Sequence, residues 1–310
     1  MTQTDLFSKI IDLENIKDAY LEVYGNFLKK SAVFDYDVID GIQIHQTEVD
    51  LPKFLGQIRT ELVEAIKPRL ARSIAIPKKN GKLRKIYMVP VRERVKCQAI
   101  YRVMQEYLKP TYSNQLFSFR SERPSYYALR SLRAFYLGHV NKGFHLLKTD
   151  FKDYSDHIDK KILLEKLQRL GVDEKTLHLV RQYVEMPFVR NGDWMSMAEG
   201  TMQGIPLVSL FNNIYMSQVD EVVGGQVEFY RRVGDDVIAL DRDLDKLKNC
   251  MAYIKQQCKE MKIILNESKT MLKPMEEGFE YLGLFFEQGK ASIPPAGVKK
   301  MITELKVFFP

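Results

Sequence analysis

Apolar and polar positions along the chain predict both helices and strands. Apolar side chains recur every three or four residues over 5–30, 51–67, 90–104, 126–137 and 160–170. This spacing predicts amphipathic helices. The stretch 31–50 follows neither period, and we expect a loop or a short extended segment there.

Four other stretches have the composition of strands. Residues 73–89 hold two apolar runs around Asn80-Gly81, the strongest short-range signal for a hairpin. Residues 143–151 predict a strand that ends on Asp150, and 279–286 alternates as one strand. Residues 228–240 predict two strands joined by a tight turn, so the chain mixes helices with hairpins.

The turn within 228–240 carries the most informative chemistry. Gly234 suits a sharp bend because it lacks a Cβ atom, and Asp235 and Asp236 follow it directly. Two adjacent carboxylates repel each other, so a fold gains nothing from them there unless a cation lies between them. The turn is therefore either a metal site or a solvated hairpin tip.

Two further aspartates, Asp150 and Asp159, lie at the end of a predicted strand and just after it. Asp159 lies at the start of the helix that begins at Lys160, where it is a good N-cap. A buried strand that delivers a carboxylate to its end is a common way to build a site. Asp150 is accordingly a site residue or a capping aspartate.

Two further regions have features of a site that binds phosphates or sugars. Residues 200–206 form a glycine-containing loop that feeds a helix, which lets backbone N–H groups approach a ligand. The tip of the 73–89 hairpin is basic, and it predicts either a charged edge strand or a mobile flap that closes on phosphates. Arginines such as Arg120 and Arg123 either face a nucleic-acid backbone or form a solvated surface.

Composition narrows the class of protein. The chain has 310 residues and is 45% hydrophobic, which is enough for an apolar core and several subdomains. Its net charge of +7 favours a polyanionic partner. Its 3 cysteines are too few for a disulfide framework or a zinc site. We find no signal peptide and no run long enough to span a bilayer, and we expect a cytoplasmic protein without a membrane partner.

Taken in order, five motifs resemble those of reverse transcriptases of the group II intron and retron type. Asp150 with Ile158-Asp159 is similar to the first palm motif, and residues 200–206 with Asn213 resemble the Gln-Gly motif. Arg232-Val-Gly-Asp-Asp236 stands where the family has its Asp-Asp hairpin. The last two motifs are similar to residues 265–270 and 279–283.

The resemblance implies an α+β right-hand polymerase fold whose antiparallel palm sheet carries the Asp-Asp hairpin. It implies a helical N-terminal extension over 1–56, fingers over 57–143 and 160–199, and a palm over 144–159 and 200–286. Residues 287–310, with a predicted helix over 296–306, are expected to begin a thumb that is short or missing.

The resemblance also implies roles for individual residues. It assigns catalysis to Asp150, Asp235 and Asp236, which would hold two Mg²⁺ ions, with Mn²⁺ as a substitute. Nucleotide binding is implied for Lys79, Arg84, Tyr154, Ser155, Gln203, Gly204 and Lys269. Contact with nucleic acid is expected at Arg120, Arg123, Arg232 and Gly283.

Two departures from the family pattern affect the expected substrates and partners. The family usually has an aromatic residue at the position of Ser155, where the ring excludes a 2′-hydroxyl. We therefore expect weaker discrimination between dNTPs and NTPs, unless a backbone shift lets the neighbouring Tyr154 take the role of that ring. The short C-terminus predicts that an oligomer, a partner subunit or an RNA supplies thumb-like contacts.

The expected function is RNA-directed DNA synthesis on a bound RNA template or non-coding RNA, with dNTPs as substrates and a primer-product DNA. By elimination among bacterial relatives, the chain resembles stand-alone enzymes of antiviral defence. Two alternatives stay open at this point. One is an RNA-dependent RNA polymerase or a nucleotidyl polymerase with relaxed sugar choice, and the other is a non-catalytic RNA-binding scaffold.

Overall fold

Ten α-helices and eleven strands occur in the computed structural model, which describes residues 5–29, 44–77, 83–294 and 297–298. The helices are α1 (Leu6–Ile10), α2 (Leu13–Lys29), α3 (Leu51–Val63), α4 (Val91–Leu108), α5 (Ser125–His139), α6 (Lys160–Arg169), α7 (Glu174–Val184), α8 (Leu207–Tyr215), α9 (Ser217–Gly224) and α10 (Leu244–Glu260). The strands are β1 (Ala71–Pro77), β2 (Leu83–Met88), β3 (His145–Asp150), β4 (Phe188–Arg190), β5 (Asp193–Met195), β6 (Phe229–Val233), β7 (Asp236–Asp241), β8 (Met271–Pro274), β9 (Phe279–Tyr281), β10 (Leu284–Glu287) and β11 (Lys290–Ser292).

The chain folds into two compact units, each made of two separate segments. The first unit comprises Met1–Tyr112 and Ser155–Tyr215, and the second comprises Ser113–Tyr154 and Met216–Pro310. The chain passes between them more than once. Residues far apart in sequence therefore meet within each unit.

The first unit combines a four-stranded sheet with a helical core. The strands lie in the order β2-β1-β4-β5, with β1 antiparallel to β2 and parallel to β4. Helix α4 packs against α2, α3, α7 and α8. Its inward side chains Val95, Ile100 and Met104 are fully buried, as the apolar spacing of 90–104 predicts.

The second unit is built around an antiparallel sheet in the order β6-β7-β3-β8. Helix α10 lies against β3 and β7, while α5 and α9 pack on β6. A second sheet of β9, β10 and β11 contributes to the same apolar core. The core side chains are Leu132, Tyr136, Phe144, Leu146, Phe229, Ile238, Leu240, Met275, Phe279, Tyr281 and Phe286.

Two sequence-based expectations about secondary structure are wrong in detail. The helix expected over 5–30 is two helices, because Asp12 follows α1 and its carboxylate accepts a hydrogen bond from the backbone N–H of Glu14 at 2.8 Å. The strand expected over 279–286 is a hairpin, β9 to β10. Leu282 and Gly283 form its turn with φ of +47° and +80°, as in a type I′ turn, which alternation of apolar residues does not reveal.

The expected N-cap at Asp159 is confirmed, while other predicted features fall outside the described residues. Asp159 caps α6, since its Oδ1 accepts from the N–H of Ile162 at 3.0 Å. No helix in the described part of the chain is long and apolar enough to cross a membrane. Lys79, most of the loop expected over 31–50, and the helix expected over 296–306 lie largely or wholly outside the described residues.

Candidate active site

The β6–β7 hairpin of the second unit presents two of the three candidate carboxylates. Val233 pairs with Asp236, which leaves Gly234 and Asp235 as a two-residue turn. Gly234 has φ of +65°, a conformation that favours glycine, and positive φ at the first turn position is typical of type II′. The sequence Gly234-Asp235-Asp236 thus folds as a tight turn with a carboxylate in the turn and another on the first residue of β7.

Strand pairing brings the third carboxylate to the same place. Strand β3 is antiparallel to β7, and the register sets Asp150 directly opposite Asp236. One side-chain oxygen from each of Asp150, Asp235 and Asp236 lies within 4.8 Å of the others. Within the described residues, this is the one group of three or more acidic, histidine or cysteine side chains close enough to share a metal ion.

Burial and neighbouring negative charge disfavour the ionised forms of Asp235 and Asp236. Burial, followed by repulsion from Asp235 and Asp150, raises the pKa of the Asp236 carboxyl to about 6. Burial and the neighbouring Asp150 also raise the pKa of Asp235. Such a cluster holds unfavourable charge that a cation would relieve.

Asp150 is held by the turn that precedes β8. Asn266 Nδ2 donates to Asp150 Oδ1 at 2.6 Å, and Lys269 Nζ lies 2.8 Å from Asp150 Oδ2. The backbone N–H of Asn266 also donates to the Asp150 carbonyl at 2.8 Å. The hydrogen bond to Asp150 raises the pKa of Lys269, so this lysine is charged at neutral pH. The carboxylate of Asp150, which is 2% exposed, therefore has a fixed orientation.

The glycine-containing loop lies in the first unit and is fixed by its backbone. The Gln203 carbonyl accepts from the N–H of Tyr87 at 2.8 Å, and the side chain of Gln203 donates to Asp156 Oδ1 at 3.3 Å. A Cβ atom on Gly204, whose φ is +117°, would lie 2.7 Å from the carbonyl oxygen of Tyr87. Only glycine fits at this position.

Ser155, in the first unit, occupies a polar and confined position. Its hydroxyl lies 3.2 Å from Asn212 Oδ1 and 3.1 Å from Asn212 Nδ2, and its carbonyl accepts from the N–H of Thr201 at 2.8 Å. Tyr154 belongs to the second unit, where its buried ring packs at 5.3 Å from that of Phe151. Ser155 is thus held by α8 through its side chain and by the glycine-containing loop through its backbone carbonyl.

The remaining expected contact residues fall into two groups. Arg84 is exposed on β2, and Gly283 lies in the β9–β10 turn. Arg120, by contrast, is buried, pairs with Glu122 at 2.8 Å and donates to the Ser113 carbonyl at 2.9 Å. Arg123 donates to the carbonyl and the side-chain oxygen of Asn114 at 2.8 and 2.9 Å. Both arginines brace the loop that precedes α5.

The environment of Arg232 differs from the one expected. The sequence suggested a nucleic-acid contact, yet the side chain has no exposed surface and forms an ion pair with Asp220. Its position on β6, three residues before Asp235, turns it toward α9. Sequence reasoning missed Asp220, and it gave no individual role to Asn266 and Tyr281 although both lie within the last two motifs, because a partner across the fold leaves no local signal.

The donor set of the cluster fits a hard divalent cation. All three side chains are carboxylates, and carboxylate oxygens are the ligands that Mg²⁺ and Mn²⁺ prefer. Burial and mutual repulsion raise the pKa values of Asp235 and Asp236, and a bound cation would favour their ionised forms. The cluster therefore has the composition and electrostatics of a Mg²⁺ or Mn²⁺ site.

The sequence matches the model of one protein family over most of its length. Residues 76–286 match the family described as reverse transcriptase (RNA-dependent DNA polymerase). The chain belongs to this family, whose members are nucleotidyltransferases. The family expected from the five motifs is thereby confirmed.

Individual relatives are distant. Protein YkfC of Escherichia coli is 22% identical over 79% of this chain and 74% of its own length. The group II intron-encoded protein LtrA of Lactococcus lactis is 21% identical over 66% of this chain. The matched region spans 33% of LtrA, so the comparison covers about a third of that protein.

Solved structures confirm the fold. An apo telomerase from Candida tropicalis, truncated from its C-terminal domain, superposes with a TM-score of 0.57 at 17% identity. The match covers 74% of this chain and 56% of that one. Telomerase from Candida albicans with a fragment of telomeric RNA gives the same TM-score at 14% identity. The α+β right-hand polymerase fold expected from the sequence is therefore the fold of this chain.

Proposed function

We propose that this chain is an RNA-directed DNA polymerase that uses two divalent ions. The observation that carries the proposal is the strand register that sets Asp150 opposite Asp236, with Asp235 at the adjacent turn. Family membership supplies the reaction class. A catalytically idle scaffold would have no use for three carboxylates held together at a cost in electrostatic repulsion.

Asp150, Asp235 and Asp236 would hold the ions, Mg²⁺ or its substitute Mn²⁺. When bound, such ions activate a primer 3′-hydroxyl and neutralise the triphosphate and its leaving group. Asn266 and Lys269 orient the carboxylate of Asp150 and offset part of its charge. The bend at Gly234 lets Asp235 lie in the turn while Asp236 begins β7 opposite Val233.

We place the fingers and palm as the sequence suggested, with the palm over 144–159 and 200–286 and the fingers over 57–143 and 160–199. The exposed Arg84, together with Lys79, is proposed to bind the triphosphate. Gln203 and Gly204 are proposed to contact the nucleotide or template, and Gly283 the primer strand. Residues 1–56 form the proposed N-terminal extension.

Ser155 favours a second version of the activity, namely polymerisation with relaxed sugar choice. Its side chain is small, and its hydroxyl is oriented by Asn212. A family member normally has a ring at this position to exclude the 2′-hydroxyl. We therefore propose that NTPs enter this site more readily than they enter those of aromatic-gated relatives.

The proposed partners follow from this activity. They are an RNA template or non-coding RNA, a primer-product DNA and dNTPs, together with a second copy of the chain or a partner subunit. The net charge of +7 agrees with a nucleic-acid partner. We place the enzyme in the cytoplasm and, from its resemblance to stand-alone bacterial enzymes, in antiviral defence.

Primer extension on RNA tests the proposal. The protein is incubated with Mg²⁺, an RNA template and a labelled primer, and each dNTP or NTP is supplied separately. The proposal predicts a product that contains only the nucleotide complementary to the template and that DNase degrades. Product made from NTPs alone would favour the alternative function, an RNA-dependent RNA polymerase. Absence of product with both dNTPs and NTPs would contradict the proposal.

A further inference from the structure

The Asp-Asp turn is backed by a fully buried ion pair. Arg232 on β6 and Asp220 on α9 both have side chains that are 0% exposed. Arg232 Nε donates to Asp220 Oδ1 at 2.7 Å, and Nη2 donates to Asp220 Oδ2 at 2.6 Å. The Tyr230 hydroxyl donates to the same carboxylate at 2.9 Å. This two-pronged geometry is the strongest that an arginine and a carboxylate can form.

The third arm of the guanidinium reaches the turn itself. Arg232 Nη1 donates to the carbonyl of Gly234 at 3.0 Å. The next two carbonyls are also held, because the Phe151 N–H donates to the Asp235 carbonyl at 3.2 Å and the Tyr281 hydroxyl to the Asp236 carbonyl at 3.4 Å. Three successive carbonyls of the turn thus have separate donors, and the side chain of Arg232 provides the first.

Stability alone does not account for this pair. Burying an arginine and an aspartate carries a large desolvation cost, and replacement of such a pair by apolar side chains of similar volume is often neutral or stabilising. The backbone of Arg232 is already fixed, since its N–H donates to the Gln115 carbonyl at 3.0 Å and its carbonyl accepts from the Phe117 N–H at 2.9 Å. The strand would keep its place without the charged side chain, so the charge serves the turn.

We propose that Arg232, locked by Asp220, is a positioning residue that fixes the Gly234 carbonyl and so sets the direction of the Asp235 and Asp236 carboxylates toward Asp150. The inference deepens the proposed function and rests on it. The pair acts through the turn and touches neither substrate nor ion. Its loss should weaken metal binding without unfolding the protein.

The test replaces the pair by apolar residues in the full chain, with Arg232→Met combined with Asp220→Leu. Thermal denaturation should still give a cooperative transition, because replacement of such a pair by apolar side chains is often neutral, with a Tm lowered by at most a few degrees because the Tyr230 hydroxyl loses its partner. Mn²⁺ binding, measured by electron paramagnetic resonance without nucleotide, should weaken by about 10- to 100-fold, the range typical for residues that orient metal ligands. Wild-type Mn²⁺ affinity in the folded double variant would overturn the proposal.

A matched control keeps the comparison specific. Arg242 and Glu228 form an exposed pair at 2.9 Å beside the same hairpin, and Arg242→Gln with Glu228→Gln removes the same two charges. Mn²⁺ affinity should be unchanged in this control. An equal loss of affinity there would show that net charge near the hairpin, rather than the hold on Gly234, sets affinity, and the proposal would fail.

A second variant covers the case in which the apolar pair does not fold. Arg232→Lys keeps a charge beside Asp220 but lacks the planar fork that reaches two partners at once. It should fold and still bind Mn²⁺ at least several-fold more weakly, and unchanged affinity would again overturn the inference.

The proposed function has its own control in the same experiment. Asp235→Asn should abolish Mn²⁺ binding. If it does not, the ions bind elsewhere, and both the proposed function and this inference fail. If Mn²⁺ binding depends on Asp235 and on Arg232 while primer extension is absent, the positioning role stands and only the assignment as a polymerase is rejected.

Discussion

If the chain has the proposed function, Ser155 is the residue at which the size of a single side chain should bear on substrate choice. It is buried, and its hydroxyl pairs with Asn212 on α8. Nothing bulkier than a hydroxymethyl group occupies the position where the family has a ring. Exclusion of a 2′-hydroxyl is a steric effect, so the side chain at this position should control it.

Ser155→Tyr should therefore lower NTP incorporation relative to dNTP incorporation by at least about tenfold, which corresponds to about 1.4 kcal/mol. The measurement is kcat/KM for a matched dNTP and NTP in primer extension. Ser155→Ala, which removes the hydroxyl without adding bulk, should leave the ratio near that of the unmodified protein. An unmodified enzyme that already prefers dNTPs by more than about a thousandfold would contradict this account of Ser155.

The charge on Asp236 should cost the metal-free protein stability. Its pKa is raised to about 6 in the folded state from 3.8, so the folded protein binds this proton more tightly than the unfolded chain does. The free energy of unfolding should consequently fall as the pH rises from about 4 to about 6. Solvent reaches part of the group, which limits the effect to roughly 1–2 kcal/mol.

Asp236→Asn should thus raise the Tm at pH 7 in the presence of a chelator, by a few degrees, while it abolishes polymerisation. Thermal scans at pH 4, 5, 6 and 7 measure this, and the difference from the unmodified protein should grow across that range. The exposed Asp193→Asn serves as the control and should follow the unmodified protein. A Tm at pH 7 that the Asp236 substitution lowers would contradict the electrostatic account.

Among the structural elements, alanine substitutions at two glycines should change the free energy of unfolding in opposite directions. Gly204→Ala would place a Cβ atom 2.7 Å from a backbone oxygen at φ of +117°, which should destabilise the first unit by more than about 2 kcal/mol. Gly56 lies within α3 with no atom within 4 Å of an added Cβ, so Gly56→Ala should stabilise by about 0.5–1 kcal/mol. Urea unfolding measures both, and equal effects would contradict the structure of the glycine loop.

Helices of the first unit are joined by a buried charge cluster around Glu93. This carboxylate, 0% exposed, accepts from Arg69 at 3.2 Å and from the Tyr183 hydroxyl at 2.9 Å, and lies 2.9 Å from Lys96 Nζ. Lys96 also pairs with Glu61 on α3 at 2.9 Å. The cluster thus connects α3, α4 and α7.

Glu93→Ala should cost about 3–5 kcal/mol, because it leaves Lys96 buried with reduced compensation. Chemical denaturation followed by circular dichroism gives the free energy of unfolding. The exposed pair of Glu14 and Lys17 provides the comparison, and Glu14→Ala should change stability by less than about 0.5 kcal/mol. A cost below 1 kcal/mol at Glu93 would show that the cluster does not hold the helices together.

For the whole molecule, local patterns in the sequence predicted most elements and the family. Periodic apolar residues located α3 to α6, the two apolar runs of 73–89 predicted the antiparallel pair β1 and β2, and Gly234-Asp235 indicated the turn between β6 and β7. The ordered motifs identified Asp150, Asp235 and Asp236, which the register of β3 and β7 then brought together. These features are encoded over short stretches, where spacing and turn chemistry are sufficient.

Features that depend on distant partners were not predictable. Arg232 looked like a surface arginine, because nothing near it in sequence shows that Asp220 on α9 would neutralise it in the core. The turn at Leu282 was hidden because the same alternation fits one strand or a hairpin. Asn266 gave no sign that it would bind Asp150 from 116 positions away. Tertiary pairing decides each of these cases.

The proposed function requires that the carboxylate cluster of this chain directs DNA synthesis on RNA. The most direct test is primer extension by the unmodified protein and by Asp235→Asn, with RNA binding of both measured in parallel. The account predicts template-complementary dNTP incorporation that the substitution reduces at least a thousandfold, with RNA affinity within about twofold of the unmodified value. Undiminished synthesis by Asp235→Asn, or RNA binding without synthesis by the unmodified protein, would contradict it.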